Sequence, residues 1–348
     1  MNNLTACQVW LATDLRLAGV RILSNQANTA LSTEVPFFAL NVSHREAVAQ
    51  DITLFELRHP EGLDLPAFTA GAHLTVKVPN GVRRNYSLCS DPAHADYYQI
   101  AVKRDAAGRG GSVSMSDEVK VGDALFVSAP RNNFELHPRA NNFLFVAGGI
   151  GITPILSMMR HLKSSGRGRF KLYYCTRDEP GTAFLKELTA EFPGLVKIHH
   201  DHGDIDQAFD FWPVFEKPGN AHVYCCGPRG LMDAVRDMSG HWPFGAIHFE
   251  SFGVDARVAA ENKPFTVRLQ KSGAVVNVAA EQTILEALRA GGHYVPSSCE
   301  SGTCGSCRTG LLSGEAEHRD MVLSEDEQTR QIMVCVSRAK SAELVLDL

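Results

Sequence analysis

The sequence contains no run of about 20 consecutive apolar residues, the length a helix needs to span a bilayer, so no membrane role is expected. It has no block of lysine and arginine, and its formal net charge of −5 argues against a nucleic-acid surface. The basic start and unbroken apolar stretch of a signal peptide are missing, because Asp14 and Arg16 interrupt the segment from Val9 to Leu23. Internal repeats and low-complexity tracts are absent too. Cysteine is present in nine copies, an odd number that suits a reducing interior better than a disulfide framework, and a cytoplasmic location is expected. What is present is an ordinary globular composition, 44% hydrophobic and 21% charged over 348 residues, enough for two or three domains.

Four of those cysteines carry the strongest signal. Cys299, Cys304 and Cys307 lie within nine residues, and Cys335 follows further on. This is the C-x₄-C-x₂-C…C spacing with which four thiolates hold a plant-type [2Fe–2S] cluster. Gly302 and Gly305 let the loop curl in conformations that a Cβ forbids. A four-thiolate zinc site is the competing assignment, but such sites more often show two short-spaced pairs. The spacing points to one-electron chemistry.

Three rhythms divide the chain. From Phe37 short strand-like runs alternate with turns such as Pro79-Asn80-Gly81, which predicts an antiparallel β-barrel over 37–140. From Asn142 the order becomes strand, glycine loop, helix, which predicts an α/β unit with a parallel sheet over 141–258. Gly253 to Lys263 reads as a linker, and 259–348 reads as a compact β-grasp unit, a mixed sheet gripping one helix from Thr283 to Ala290. Residues 1–36 form an N-terminal extension with no assigned role; a helix between Val9 and Leu23 is the most that can be expected of it.

Further constellations are individually weak. Gly148-Gly149-Ile150-Gly151-Ile152-Thr153-Pro154 joins a strand to a helix, where free N–H groups attract a pyrophosphate. It lacks the third glycine of the dinucleotide fingerprint, and a tight turn without a ligand accounts for it equally well. Arg83-Arg84-Asn85-Tyr86-Ser87 offers a guanidinium for a phosphate and an aromatic for a flat heterocycle. Gly108-Arg109-Gly110-Gly111-Ser112 is a second anion-binding turn or a surface loop. Tyr224-Cys225-Cys226-Gly227-Pro228 sits at a strand end, where open parallel sheets place ligands. Phe249-Glu250-Ser251-Phe252 precedes the linker, and its aromatics read as core. The histidines, including those from His199 to His202, are read as surface or structural.

With these motifs in this order, the chain resembles the phthalate dioxygenase reductase family from about Phe37 to Leu348. The resemblance implies a flavin barrel, a nicotinamide-binding α/β domain and a C-terminal plant-type ferredoxin domain. It also implies FMN and a [2Fe–2S] cluster as cofactors, NADH as substrate and a Rieske-type terminal oxygenase as partner. A flavin is the natural converter between the hydride of NADH and a one-electron cluster. On this resemblance Arg84 and Ser112 are phosphate ligands of FMN, Asn85, Gly110 and Gly111 are cofactor-binding beside them, and Tyr86 and Ser87 contact the isoalloxazine. Ala101, Val102 and Lys103 line the flavin from a neighbouring strand. Gly149, Gly151, Thr153 and Gly227 meet the nicotinamide nucleotide, Asp178 the adenosine ribose, and Cys226 the reactive ring, while Phe252 covers the flavin where nicotinamide enters.

Other readings use the same modules: a reductase serving a P450 or diiron monooxygenase, or a non-enzymatic iron–sulfur redox sensor. One surface is singled out for the oxygenase, the segment from Glu315 to Glu327, with six carboxylates and one arginine. Its field would steer association in a salt-dependent way.

Overall fold

The computed structural model describes residues 36–108, 110–243, 245–252, 262–297 and 299–348. The helix expected between Val9 and Leu23, Arg109 and most of the expected linker lie outside the described residues.

The first sheet holds β1 (Phe37–Ala49), β2 (Ile52–Arg58), β3 (His73–Lys77), β4 (Arg83–Ser87), β5 (Tyr98–Lys103) and β6 (Ala124–Ser128). Its order is β4-β3-β6-β1-β2-β5, with every pairing antiparallel. A bridge from Leu88 to Ile100 brings its two edges together, which gives the expected barrel. Alternation along the strands decides what fills it. Leu74 and Val76 point inward from β3 and Ile100 and Val102 from β5, joining Leu40, Phe55 and Val127. The helix α1 (Gly111–Glu118) follows β5 in the segment read from sequence as a glycine turn.

The second sheet is parallel, in the order β11-β10-β7-β8-β9. Its strands are β7 (Asn142–Gly148), β8 (Arg169–Thr176), β9 (Val196–His200), β10 (His222–Cys226) and β11 (Ile247–Glu250). Helices α2 (Ile152–Ser165), α3 (Leu185–Glu191), α4 (Trp212–Phe215) and α5 (Arg229–Met238) connect them. The chain runs outward from β7 to β9, then returns to β10 on the other side of β7. Strand order therefore reverses between β7 and β10, and the crevice outside their C-terminal ends is where such sheets bind ligands. One buried cluster runs from Ile52, Leu54, Cys89 and Ala101 of the barrel to Phe145, Leu156, Tyr174 and Cys226 of this sheet, so the two units share a core.

The third sheet is mixed: β12 (Phe265–Leu269) and β18 (Glu343–Leu346) pair in parallel, and the order is β13-β12-β18-β14-β16. Its other members are β13 (Val275–Val278), β14 (Arg308–Ser313) and β16 (Gln331–Met333), beside a small ladder of β15 (Ala316–Glu317) and β17 (Arg338–Ala339). The helix α6 (Ile284–Ala290) buries Ile284, Leu285 and Leu288 against this sheet. Thr283 and Glu286 close its N-terminus reciprocally, Oγ1 accepting from the Glu286 amide at 3.1 Å and Oε2 from the Thr283 amide at 2.8 Å. A short helix, α7 (Glu325–Gln328), precedes β16.

Candidate functional site

On β4, Arg84 and Tyr86 occupy alternate positions and share a face, while Asn85 is exposed and accepts from Thr75 Oγ1 at 2.8 Å. Arg84 lies against the start of α1 so closely that a Cβ on Gly111 would come 2.7 Å from its Nε. The side chain of the preceding Gly110 is a hydrogen atom, so the first amides of α1 carry no side-chain cap. A guanidinium beside uncapped helix N–H groups suits a phosphate. Ser112 Oγ accepts from the Asp105 amide at 3.1 Å, which ties the loop back to the barrel. The Tyr86 hydroxyl is buried without a hydrogen-bond partner, and burial pushes its pKa up to about 12. An unsatisfied buried hydroxyl beside a phosphate cradle fits a bound heterocycle that supplies the partner. Ala101 and Val102 face opposite ways: Val102 is in the barrel core, whereas Ala101 joins the core shared with the second sheet, and Lys103 is exposed. The Val102 side chain therefore does not line the face on which Ala101 lies.

At the switch point the glycines do something the sequence did not suggest. A Cβ on Gly151 would come 2.1 Å from the Cys226 carbonyl oxygen, and one on Gly148 would come 2.5 Å from Pro228. Gly227 meets Gly148 from the opposite side at 2.9 Å. These glycines let two strand-end turns interlock backbone to backbone. Gly149 is different: its φ is 52° and nothing lies within 4 Å of its missing side chain, so it borders open space. Tyr174 of β8 fixes it by donating to the Gly149 carbonyl at 3.0 Å. The Thr153 hydroxyl is buried and donates to Ile150 O at 3.0 Å, which leaves its backbone as the group able to meet a nucleotide. Asp178, exposed two residues past the end of β8, accepts from the Gly181 amide at 2.8 Å through Oδ1. Phe252 is 49% exposed, an aromatic face available beyond the end of β11 and not the core residue its motif suggested.

Cys226 and Glu250 are directly paired across β10 and β11, both buried. Burial raises the Cys226 thiol well above its usual value, with the nearby carboxyl adding to the effect, so it is a neutral wall. Glu250 was missed by sequence reasoning. Burial first, then the charge of Cys299, push its carboxyl up to about 8, so it carries a proton at neutral pH. It accepts from Ser87 Oγ at 3.4 Å, joining the barrel to the second sheet. His73, buried on β3, also feels Cys299; burial and Arg131 keep it neutral.

The four cysteines gather as two pairs, Cys299 with Cys304 and Cys307 with Cys335. Hydrogen bonding from Cys304 holds the Cys299 thiol low, and Cys335 does the same for Cys307. Amides of Ser301 and Thr303 also point at Cys299 Sγ, at 3.4 and 3.5 Å. Gly302 and Gly305, at φ 78° and 80°, make the curl that this needs. Two thiol pairs fit a two-iron centre, one pair to each iron.

The acidic segment is less available than its sequence implied. Glu317 holds Arg319 at 2.7 Å, Glu315 holds Lys340 at 3.3 Å, and Glu327 holds Arg308 at 3.0 Å. Asp320 is buried and accepts from the amides of Val322 and Leu323. Glu325 and Asp326 remain as its outward charges.

Three family models match in chain order: an oxidoreductase FAD-binding domain over 39–136, an oxidoreductase NAD-binding domain over 145–237 and a 2Fe-2S iron-sulfur cluster binding domain over 267–340. The chain is 62% identical over 314 residues to the phthalate 4,5-dioxygenase oxygenase reductase subunit of Pseudomonas putida, covering 90% of this chain and 97% of that one. Phthalate dioxygenase reductase of Burkholderia cepacia is also 62% identical, with 90% and 98% covered. A solved structure of a phthalate dioxygenase reductase, described as modular for electron transfer from pyridine nucleotides to [2Fe-2S], superposes with a TM-score of 0.73 at 61% identity, covering 90% of this chain and 98% of that one.

Proposed function

The chain belongs to the phthalate dioxygenase reductase family, and from that premise we propose that it carries electrons from NADH through FMN and a [2Fe–2S] cluster to a Rieske-type oxygenase of an aromatic acid. One observation carries this reading: Glu250 is a common neighbour of all three units, for Ser87 of the barrel donates to it, Cys226 of the parallel sheet is paired with it in register, and Cys299 of the cysteine loop is close enough to raise its pKa. Three sites that share no residue meet at one place. When bound, the flavin supplies the conversion of a two-electron hydride into single electrons.

The residues have the following parts in this reading. Arg84 and the N-terminus of α1 hold the FMN phosphate, and Tyr86 and Ser87 face the ring. Gly149 and the amides at the start of α2 meet the nucleotide of NADH, and Asp178 stands where its adenosine ribose arrives. Cys226 would present a neutral wall to the nicotinamide, and Phe252 would offer its exposed aromatic face to the flavin. Glu250, buried with its Oε2 3.4 Å from Ser87 Oγ, holds a proton beside the flavin site. Cys299, Cys304, Cys307 and Cys335 hold the cluster as thiolates. No side chain has to form a bond to substrate; approach geometry and electrostatics are the protein's contribution. No helix among the described residues is long and apolar enough to cross a membrane, and the reading places the protein in the cytoplasm, where NADH is available.

The deciding experiment is anaerobic titration of the purified protein with NADH, following flavin bleaching and the reduced-cluster EPR signal. Both must appear, and adding a Rieske oxygenase with its aromatic acid must then yield hydroxylated product. Bleaching without cluster reduction, or coupling only to a P450, contradicts the reading.

A further inference from the structure

Helix α5 begins two residues beyond Gly227, and one of its carboxylates organises two guanidiniums. Arg229 Nε lies 2.9 Å from Asp233 Oδ2, and Arg236 Nη2 lies 2.9 Å from Asp233 Oδ1. Each arginine then reaches into the cysteine-bearing unit. Arg229 Nη1 donates to the Arg319 carbonyl oxygen at 2.6 Å, and Arg236 Nη1 lies 3.5 Å from Met321 Sδ. The Met321 side chain packs into the apolar cluster that contains Met232, Val235, Trp242 and Phe249 of the parallel-sheet unit.

The gripped segment is not a passive loop. The Met321 amide donates to Gly302 O at 2.9 Å, and Gly302 is inside the loop from Cys299 to Cys307. Asp320 between them is buried and holds two following amides. A displacement of residues 319–321 is therefore passed to the cysteine loop. At the other end, the α5 start is continuous with the Cys226–Gly227 turn. The Arg319 side chain is engaged separately, with Glu317 at 2.7 and 2.8 Å, so Arg229 takes hold of backbone alone.

We propose that Arg229 and Arg236, locked by Asp233, are a latch that registers the cysteine loop against the nicotinamide end of the parallel sheet, and that they position the cluster for electron transfer from flavin. The proposal rests on the function given above. Met321 supplies adhesion without direction, whereas the arginine bonds fix register. An exposed ion pair alone adds little, but here it pre-orients a charge-assisted bond to a carbonyl, which is the stronger kind. The step concerned would be a single-electron transfer, the bound flavin losing the electron that the bound cluster gains.

The test uses the holoenzyme with Arg229→Ala and Arg236→Ala combined. Stopped-flow absorbance separates flavin bleaching by NADH from cluster reduction, and small-angle X-ray scattering of the oxidised protein reports its extension. Bleaching is expected to stay near the parent rate, cluster reduction to slow by about tenfold or more, as loss of a charge-assisted bond implies, and the radius of gyration to rise. Asp233→Asn, which keeps both guanidiniums but frees them, gives a smaller change in the same direction and serves if the double variant does not accumulate. Arg229→Lys, still a donor, recovers part of the rate. Cluster reduction at the parent rate, equal slowing of both steps, or slowed transfer with unchanged scattering overturns the latch alone. A parent protein whose flavin NADH does not bleach overturns the functional reading, and the latch with it.

Discussion

Ser87 and Glu250 sit on different sheets, 163 residues apart in sequence, yet Ser87 Oγ donates to Glu250 Oε2 at 3.4 Å in a buried contact. This bond crosses the seam between the barrel and the parallel sheet at the place where Cys226 and Cys299 also arrive. Its carboxyl partner is protonated at neutral pH because burial disfavours the charge. Glu250→Gln keeps the neutral shape and removes the titration. The variant is expected to hold flavin normally, and the parent's loss of flavin reduction rate as pH rises past about 8 should flatten. Stopped-flow bleaching between pH 6 and pH 9.5 measures it, and identical profiles for both proteins contradict it.

Arg84→Ala removes the guanidinium beside the start of α1. FMN affinity is expected to fall by about 1.5–3 kcal/mol, the worth of a hydrogen bond to a charged group. Fluorescence titration of the apoprotein reads the change, and the flavin released on denaturation identifies FMN or FAD. Release of FAD, or unchanged affinity, refutes the phosphate site.

Cys304→Ser breaks one thiol of the Cys299–Cys304 pair. The reduced-cluster EPR signal should disappear while NADH still bleaches the flavin. Iron and acid-labile sulfide analysis of the parent protein checks the premise, since zinc without sulfide would replace the cluster assignment.

The two loop glycines should behave oppositely. Gly151→Ala drives a methyl into the Cys226 carbonyl oxygen, 2.1 Å from the ideal Cβ, and is expected to cost roughly 1–3 kcal/mol of stability. Gly149→Ala meets no atom within 4 Å, so its cost is the left-handed backbone, about 1 kcal/mol. On the proposed reading its methyl would border the nucleotide, and its main effect should be a raised KM for NADH. Thermal melts and steady-state kinetics separate the two.

Acid should weaken the fold through a stack of imidazoles. His222 Nδ1 and His248 Nε2 are 3.0 Å apart, the His137 ring stacks 4.3 Å from that of His222, and Tyr224 stacks 4.4 Å from His248. Around them, Arg167 donates to the His137 carbonyl and Tyr224 to that of Glu135. Burial, then the neighbouring imidazoles, lower His248 to about 4, and His222 is lowered as well. The unfolded chain therefore binds more protons between about pH 4 and pH 6.5, and stability is present above this window and falls as pH drops through it. His248→Phe, which keeps the stacking, should lower Tm less than the parent on going from pH 7 to pH 5.

The cysteine site was legible because three of its members are local and their spacing is chemical. The sheets were legible from alternation, and the parallel unit from its glycine-loop rhythm. Glu250 was not, because its importance comes from the β10–β11 register that pairs it with Cys226 and from a barrel serine far away in sequence. Gly151 and Gly227 were read as meeting the nucleotide, and their close packing against Cys226 and Gly148 is a further demand on them that no local pattern encodes. The sequence Gly111 to Glu118 has little amphipathic patterning, so α1 looked like a turn. In the acidic segment, spacing did not show which charges are paired. Its charges pair with arginine and lysine within its own unit, leaving Glu325 and Asp326 to face outward.

In the third sheet β18 lies between β12 and β14, in parallel with the first and antiparallel to the second. Of these strands it is the last to leave the ribosome, yet it occupies the middle of the sheet. The barrel and the parallel sheet have all their strands by Glu250, so both can close while the rest of the chain is still being made. The four thiols emerge earlier than Glu343–Leu346, into a unit that cannot yet assemble its own centre. Loss of Glu343–Leu346 would therefore take the middle strand from this sheet and not an edge, while leaving every strand of the other two sheets in place.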